Sequence, residues 1–260
     1  MPLLRETVSK IKDELKDVDI VELGSGDCSK ISILLEAIPS NIRETVRYLP
    51  IDISREAIEK SSDMLSKRFQ DIQIHGVVSD FQTQLHLIPK EKRRIFCFFG
   101  STIGNLSKEK AKQFLINLSN NMQQGDMFLL GVDMVKDKQI LEKAYNDDKD
   151  ITAEFNKNIL NVVNNHLKTD FNKDDFDHVA FYNGELSRIE MHLKANRDLE
   201  VKSQYLDSSI IVKNGETIHT ENSHKFTDEH IKYLAAKAQL KIQGIVKDKN
   251  RWFSVVQLTK

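Results

Sequence analysis

Two cysteines, four prolines and one tryptophan among 260 residues exclude several kinds of protein at once. Cys28 and Cys97 stand in no metal-ligand spacing, so neither a disulfide framework nor a thiolate metal centre is expected, and a reducing compartment is. No apolar run approaches the roughly 18 residues that suggest a membrane span. The opening stretch MPLLRETVSK lacks the apolar centre of a signal peptide. An excess of charge is missing too. Lys and Arg number 38 against 39 Asp and Glu, which argues against a broad basic surface for nucleic acid and for a small neutral or zwitterionic partner. A soluble cytoplasmic protein is expected, without low-complexity tracts, repeats or flexible linkers.

What is present is a regular alternation. In the first half, short apolar runs exchange with amphipathic stretches, the pattern of βαβ units on a parallel sheet. The pattern predicts strands over 18–23, 48–53, 72–78, 94–99 and 127–133 and helices over 29–37, 54–69 and 107–121, with Ser54 and Ser107 as N-caps. Right-handed crossovers place these helices on both faces of one sheet, giving a doubly wound, mostly parallel α/β domain. Near Lys136 the pattern changes. A helical stretch over 139–167 is followed by β-stretches over 176–220, in which the pairs Asn183-Gly184 and Asn214-Gly215 predict two-residue hairpin turns. A helix over 228–239 and strands over 241–246 and 252–258 then complete the sheet with an antiparallel edge hairpin. Residues 1–136 and 227–260 are thus read as the core, and 137–226 as an inserted α+β cap over the carboxyl ends of the strands.

Ligands of such sheets bind outside the carboxyl ends of the strands. The first strand ends in VELGSGD (21–27), where Gly24 and Gly26 allow a tight turn and close approach of a ligand to the backbone. The second ends in PIDIS (50–54), which puts Asp52 where a ribose diol would lie; its carboxylate accepts from both hydroxyls and repels a 2′-phosphate. The third ends in VSDF (78–81), with Asp80 for an adenine amino group and Phe81 to cover the ring. Each signal alone has a structural explanation. Together they describe a site for an adenosine cofactor with a short polar tail.

Longer blocks now carry a resemblance. VELGSGDCSK (21–30), YLPIDIS (48–54), HGVVSDF (75–81), FFGSTIGNL (98–106), LLGVDMVKD (129–137), AYNDDKDITAEFNKNIL (144–160), RIEMHLKA (188–195) and ENSHKF (221–226) occur in the order found in the histidine-specific methyltransferases. The sequence resembles that family, the L-histidine Nα-methyltransferases of ergothioneine biosynthesis, over nearly its whole length. The resemblance implies a class I methyltransferase fold that uses S-adenosylmethionine, releases S-adenosylhomocysteine and converts histidine to its trimethylated form, hercynine. It implies that Gly24, Ser25, Gly26 and Lys30 hold the methionine tail, Asp52 the ribose, and Asp80 with Phe81 the adenine. Asn105 then holds the substrate's α-amino and α-carboxylate groups and Tyr145 its carboxylate. Glu221, Asn222 and Ser223 match the imidazole-recognising segment, and Met191 lines that pocket. Without the resemblance, Asn105 reads equally as a turn residue before the helix at Ser107, and 221–223 as a polar turn. His219 and His224 flank that segment, yet no third ligand is near in sequence and methyl transfer needs no Lewis acid, so no metal site is expected.

In one respect the sequence departs from the family. Members carry a tyrosine beside the substrate amino group, ahead of the first strand; the roughly 17 residues before that strand hold none here. Either the chain is a shortened form or another group does that work, and Tyr182 and Tyr48 are the candidates. The chemistry is an in-line displacement at a sulfonium methyl, where orientation carries most of the rate and the amine arrives unprotonated, its proton lost to solvent. Three alternatives stand beside this reading: a methyltransferase of the same framework for another amino acid, a cofactor-binding protein with little catalysis, and a nicotinamide oxidoreductase. The last lacks the third glycine of the dinucleotide loop, where Asp27, Cys28 and Ser29 stand instead.

Overall fold

The computed structural model describes residues 2–26 and 28–260; Asp27, in the glycine-bearing turn, lies outside them. In chain order the elements are α1 (Pro2–Ile11), β1 (Val18–Leu23), α2 (Ser29–Ala37), α3 (Ser40–Arg43), β2 (Arg47–Asp52), α4 (Arg55–Arg68), β3 (Gln73–Ile74), β4 (Val77–Val78), β5 (Arg93–Phe98), α5 (Lys108–Asn121), β6 (Met127–Asp133), α6 (Lys138–Tyr145) and α7 (Ile151–Leu167). There follow β7 (Phe176–Asn183), β8 (Arg188–Ala195), β9 (Leu199–Val201), β10 (Ile210–Val212), β11 (Thr217–His224), α8 (Asp228–Lys237), β12 (Lys241–Lys247) and β13 (Phe253–Thr259). These form two compact units, one built from the chain up to Met134 with Phe226–Lys260, the other from Val135–Lys225.

The first unit is a sheet of order β12-β13-β6-β5-β1-β2, with β3 and β4 both on the far edge of β2. All pairs are parallel except those of β13, which runs antiparallel between β6 and β12. Alternate residues of each strand feed separate cores. Val21, Leu23, Leu49, Ile51, Phe96 and Phe98 pack with residues of α5 and α8, while Val18, Ile20, Tyr48, Ile95 and Cys97 pack with α1, α2 and Leu65 of α4. Covered on both faces, the central strands are mostly apolar, and the charged side chains they bury are paired: Asp19 with Arg47, Arg94 with Asp126, and Glu22 with Tyr48. Ser54 and Ser107 cap α4 and α5, each accepting a backbone N–H from the first turn. The chain leaves this unit at Met134 and re-enters at Phe226, which are bridged in parallel, Phe226 donating its N–H to the Asp133 carbonyl at 2.9 Å.

Several expectations are corrected. The strand over 72–78 exists only as two short pieces, interrupted at His75 and Gly76, although His75 still donates its N–H to the Tyr48 carbonyl of β2 at 2.9 Å. Gly76 lies so close to α4 that a Cβ there would sit 2.4 Å from Ile58 Cγ2. The single helix over 139–167 is two helices. Asp147 accepts the backbone N–H groups of Thr152 and Ile151 at 2.8 and 3.0 Å, which hold its carboxyl down to about 2, and Asp150 adopts a left-handed φ of 55°. Neither Asn-Gly pair makes a two-residue hairpin. β7 and β8 are joined by residues 184–187 with the positive φ at Ser187, and the turn at Gly215 links β10 and β11, which pair with different strands. α1 and α3 were not expected.

The second unit contains the antiparallel sheet β11-β8-β7 and the small ladder β10-β9. Ile189 and Met191 of β8 pack with Leu141 of α6, and Leu193 and Ala195 with Leu160 of α7, so one face of the sheet is covered by these helices. β11 carries a bulge. His219 lies opposite His192 and Glu221 opposite Met191, which leaves Thr220 as the extra residue between them. The Thr220 hydroxyl is held between the Met191 carbonyl and the side chain of buried Asn156, whose amide nitrogen also reaches the His192 carbonyl at 3.1 Å. Among the described residues no helix is long and apolar enough to cross a membrane.

Candidate active site

In the first unit, main-chain bonds tie three strand ends together. Gly24 donates its N–H to the Ile51 carbonyl at 2.8 Å, and Ser79 to the Asp52 carbonyl at 3.0 Å. Gly24 has a φ of +71°, and Phe81 lies over it, its Cε1 only 3.5 Å from where a Cβ would stand. A side chain at Gly24 would therefore be strained by the backbone, while its Cβ would only touch the aromatic ring. Gly26, with φ +51°, opens onto free space, and the Ser25 hydroxyl is buried without a partner among the described residues. Asp52, half-buried at the end of β2, accepts one N–H, from Ser54 to Oδ1 at 3.0 Å, and Oδ2 takes no hydrogen bond among the described residues. An open carboxylate, an orphaned buried hydroxyl and a turn of bare backbone are what a ribose diol and a zwitterionic tail require. The residues present fit an S-adenosylmethionine site.

Other expected cofactor groups are less free. Asp80 uses both carboxylate oxygens to cap its own loop, accepting from Gln82 N and from Thr83 Oγ1 at 2.8 and 2.9 Å. Phe81 packs edge-on against Phe98 and Phe114, with centroids 5.4 and 6.0 Å away. Lys30, at the start of α2, reaches over Gly100 and lines a largely apolar cavity of about 690 Å³ with Phe99, Phe253 and the first residues of α1. A second cavity, of about 380 Å³, opens between Gly26 and α4. Asp52, Asp80 and Phe81 line neither. Asn105 ends a 3-10 turn after β5, exposed, its amide making no hydrogen bond among the described residues. It is not the cap of α5, a role Ser107 fills.

In the second unit a polar cluster lies beside Met191, which is buried among Leu141, Ala180, Ile189, Tyr145 and Tyr182. The Tyr145 phenol donates to Ser223 Oγ at 2.8 Å, and the Lys225 ammonium donates to both oxygens at 2.9 Å. Lys225 is itself buried and sits 4.7 Å from the centre of the Tyr145 ring. Two hydroxyls bonded to each other use one O–H between them. The other is left to point outward, and as the bonds stand it belongs to Ser223. Glu221, opposite Met191, accepts no hydrogen bond on its carboxylate among the described residues; burial pushes its pKa up, and the charge of Lys225 partly offsets this. Asn222 falls on the other face of β11, opposite Glu190, with its Oδ1 buried and unpartnered. The strand thus brings Glu221 and Ser223 together with Tyr145 and Met191, and turns Asn222 away from them.

Lys225 was not foreseen as a site residue, although alternation along 221–225 puts it on the same face as Glu221 and Ser223. Of the two candidate tyrosines, Tyr48 is excluded: it is fully buried in the first unit, bonded to Glu22, and both burial and that carboxylate push its pKa up. Tyr182 packs in the Met191 cluster.

Comparison with known proteins shows the family and the fold. A family model described as histidine-specific methyltransferase, SAM-dependent, matches residues 1–260. The chain is 36% identical over 254 residues to a histidine N-alpha-methyltransferase of Mycobacterium tuberculosis, covering 97% of this chain and 76% of that protein. It is 39% identical over 222 residues to the protein of the same name from Mycolicibacterium smegmatis, covering 85% and 69%. Among solved structures, an S-adenosylmethionine-dependent methyltransferase from Clostridium acetobutylicum aligns over 99% of this chain and 91% of its own, with a TM-score of 0.54 at 11% identity, a likeness of fold. The chain belongs to the SAM-dependent, histidine-specific methyltransferase family, with the class I methyltransferase fold and S-adenosylmethionine as its cofactor.

Proposed function

We propose that this protein transfers methyl groups to the α-amino nitrogen of free L-histidine, ending in the trimethylated product. The observation that carries the reading is the pairing of an acceptor and a donor on one strand: the unbonded Glu221 carboxylate and the outward hydroxyl of Ser223. A neutral imidazole has one N–H to give and one lone pair to receive, and those two groups complement it. Lys225 fixes the donor, because Ser223 Oγ already accepts from two neighbours, and its positive charge disfavours an imidazolium at the same place. An apolar amino acid would leave these polar groups buried and unpaired, which gives strong discrimination.

S-adenosylmethionine supplies an electrophilic methyl on sulfur. The chain's part is to hold and align. Asp52 accepts the ribose hydroxyls, Ser25 and Lys30 take the polar tail, and Phe81 with Asp80 bounds the adenine. Asn105 offers one amide, both donor and acceptor, to the substrate's amino and carboxylate groups. With its proton on Ser223, Tyr145 orients that hydroxyl; it grips the substrate carboxylate only by giving up this bond. The amine reacts as the free base, after losing its proton to solvent, and alignment at near-attack distance supplies the acceleration. The test is to incubate the protein with S-adenosylmethionine and the twenty amino acids together and weigh the products. Histidine should gain methyl groups ahead of all others. Methylation of a different amino acid, or of none, overturns the reading.

A further inference from the structure

The face of the β8–β11 ladder turned away from Met191 carries three groups unused by the reaction. His192 and His219 are directly opposed across the two strands, and Glu190 lies two residues along β8, on the same face as His192. One potential ligand atom from each lies within 4.8 Å of the other two. We propose that Glu190, His192 and His219 form a divalent transition-metal site of the zinc class on this face, separate from the groups assigned to substrate and cofactor.

Three observations support it beyond proximity. His192 Nε2 stands 3.4 Å from Glu190 Oε2. With metal–ligand bonds of about 2.0–2.2 Å, two ligands of a tetrahedral zinc lie roughly 3.4 Å apart, so this pair already has the required edge. The carboxylate is oriented from behind, since Oε1 accepts from Arg188 Nε, Arg188 Nη2 and Asn183 Nδ2 at 2.9, 2.8 and 3.0 Å, which leaves Oε2 toward the histidines. His219 is held through Nε2, 3.2 Å from the Glu221 carbonyl. With the proton on that nitrogen, Nδ1 keeps the lone pair a metal needs, and such a bond from the other ring nitrogen to a carbonyl is the usual support of a ligating imidazole.

The arrangement is one movement short of a closed site. The imidazoles of His192 and His219 are stacked, with centroids 4.5 Å apart and planes 12° from parallel, so their lone pairs do not converge. His192 is sandwiched between His219 and Phe181, whereas His219 is exposed and bonded on one side only, so that a turn of its ring about the Nε2 contact with the Glu221 carbonyl brings Nδ1 toward the metal. Two imidazoles and one carboxylate leave a fourth position for water on the exposed side. A metal here would tie β8 to β11 at the bulge that sets Glu221 opposite Met191. The neighbouring His224 lies opposite Arg188, one step beyond Glu190, and is not part of the set.

The test uses the whole chain, stripped with a chelator and titrated with ZnCl2 by calorimetry and with CoCl2 by visible absorption. One equivalent of Zn2+ should bind, Co2+ should give the intense absorption of a four-coordinate site, and Zn2+ should raise the melting temperature. His219→Ala, at an exposed position, should weaken Zn2+ binding at least about tenfold and abolish the melting shift, and Glu190→Gln should do the same. S-adenosylhomocysteine affinity, unchanged in both variants, verifies the fold. Absence of stoichiometric binding, or equal Zn2+ affinity in His219→Ala and the parent, overturns the proposal.

Discussion

In the α/β unit several of the groups assigned to the ligand stand open among the described residues: Asp52 has a bare carboxylate oxygen, Ser25 an unpaired hydroxyl, and the turn at Gly24 exposes backbone, while Asp80 spends both carboxylate oxygens on its own loop. In the inserted unit Tyr145, Ser223 and Lys225 are already bonded to one another, and only the Glu221 carboxylate beside them stands open. Open groups at strand ends hold a cofactor through features any adenosine shares. A cluster whose donor is fixed in advance accepts only a ligand of complementary pattern, so on the proposed reading selectivity belongs to the inserted unit and general affinity to the sheet.

The largest expected effects test this division directly. Asp52→Ala should weaken S-adenosylhomocysteine by about 10–150-fold, and Glu221→Ala should raise the KM for histidine by a similar factor, as for loss of one charged hydrogen-bond partner. Calorimetry on the first variant and steady-state kinetics on both should show each change confined to its own ligand. If Glu221→Ala weakens the cofactor as much as histidine, the division fails.

Next in size is Lys225→Met. It removes the donor shared by two hydroxyls and the positive charge beside Glu221, and should lower stability by about 1–3 kcal/mol while raising the KM for histidine. Urea unfolding measures the first quantity and initial rates the second; a variant that loses stability but keeps its KM would reduce Lys225 to a structural residue.

Within the α/β unit, Ser107→Ala should cost about 1 kcal/mol through the lost cap of α5. Asn105→Ala, two residues away, should leave thermal stability unchanged and impair histidine turnover. The reverse result would make Asn105 a turn residue.

The smallest effect depends on pH. Burial raises the pKa of Glu221 in the folded state, so the stability that goes with its neutral form is fully present below the unfolded value near 4.5 and is lost as pH rises through the folded pKa. Glu221→Gln, which has no charge to desolvate, should melt above the parent at pH 7.5 and level with it at pH 4. Equal melting at both would show the carboxylate to be solvated.

How much of this was legible in the sequence differs between the units for the same physical reasons. Parallel strands buried on both faces announce themselves as apolar runs, and β1 and β6 fall at the expected residues while β2 and β5 shift by one. The fracture of the third strand was hidden because it depends on a close approach to Ile58, a contact between residues far apart in sequence. In the inserted unit, Asn183-Gly184 and Asn214-Gly215 misled because tertiary pairing overrode local turn preference. Glu221, Ser223 and Tyr145 were found through family resemblance, while Lys225 lay in plain view of the two-residue period. His192 and Glu190 were out of reach of any reading of His219 by sequence neighbourhood, since they come from a different strand.

The bulge at Thr220 bears on how this protein can change length. Because Thr220 is the surplus residue between His219 and Glu221, losing that single codon would restore an unbroken ladder and still leave Glu221 opposite Met191. Loss of a codon between 221 and 225 would instead turn every later side chain to the other face and pull Ser223 or Lys225 out of the cluster. In β11, then, insertions and deletions are tolerated at one position and ruinous a residue later, and lineages of this enzyme should vary in length at Thr220 before they vary anywhere else along the strand.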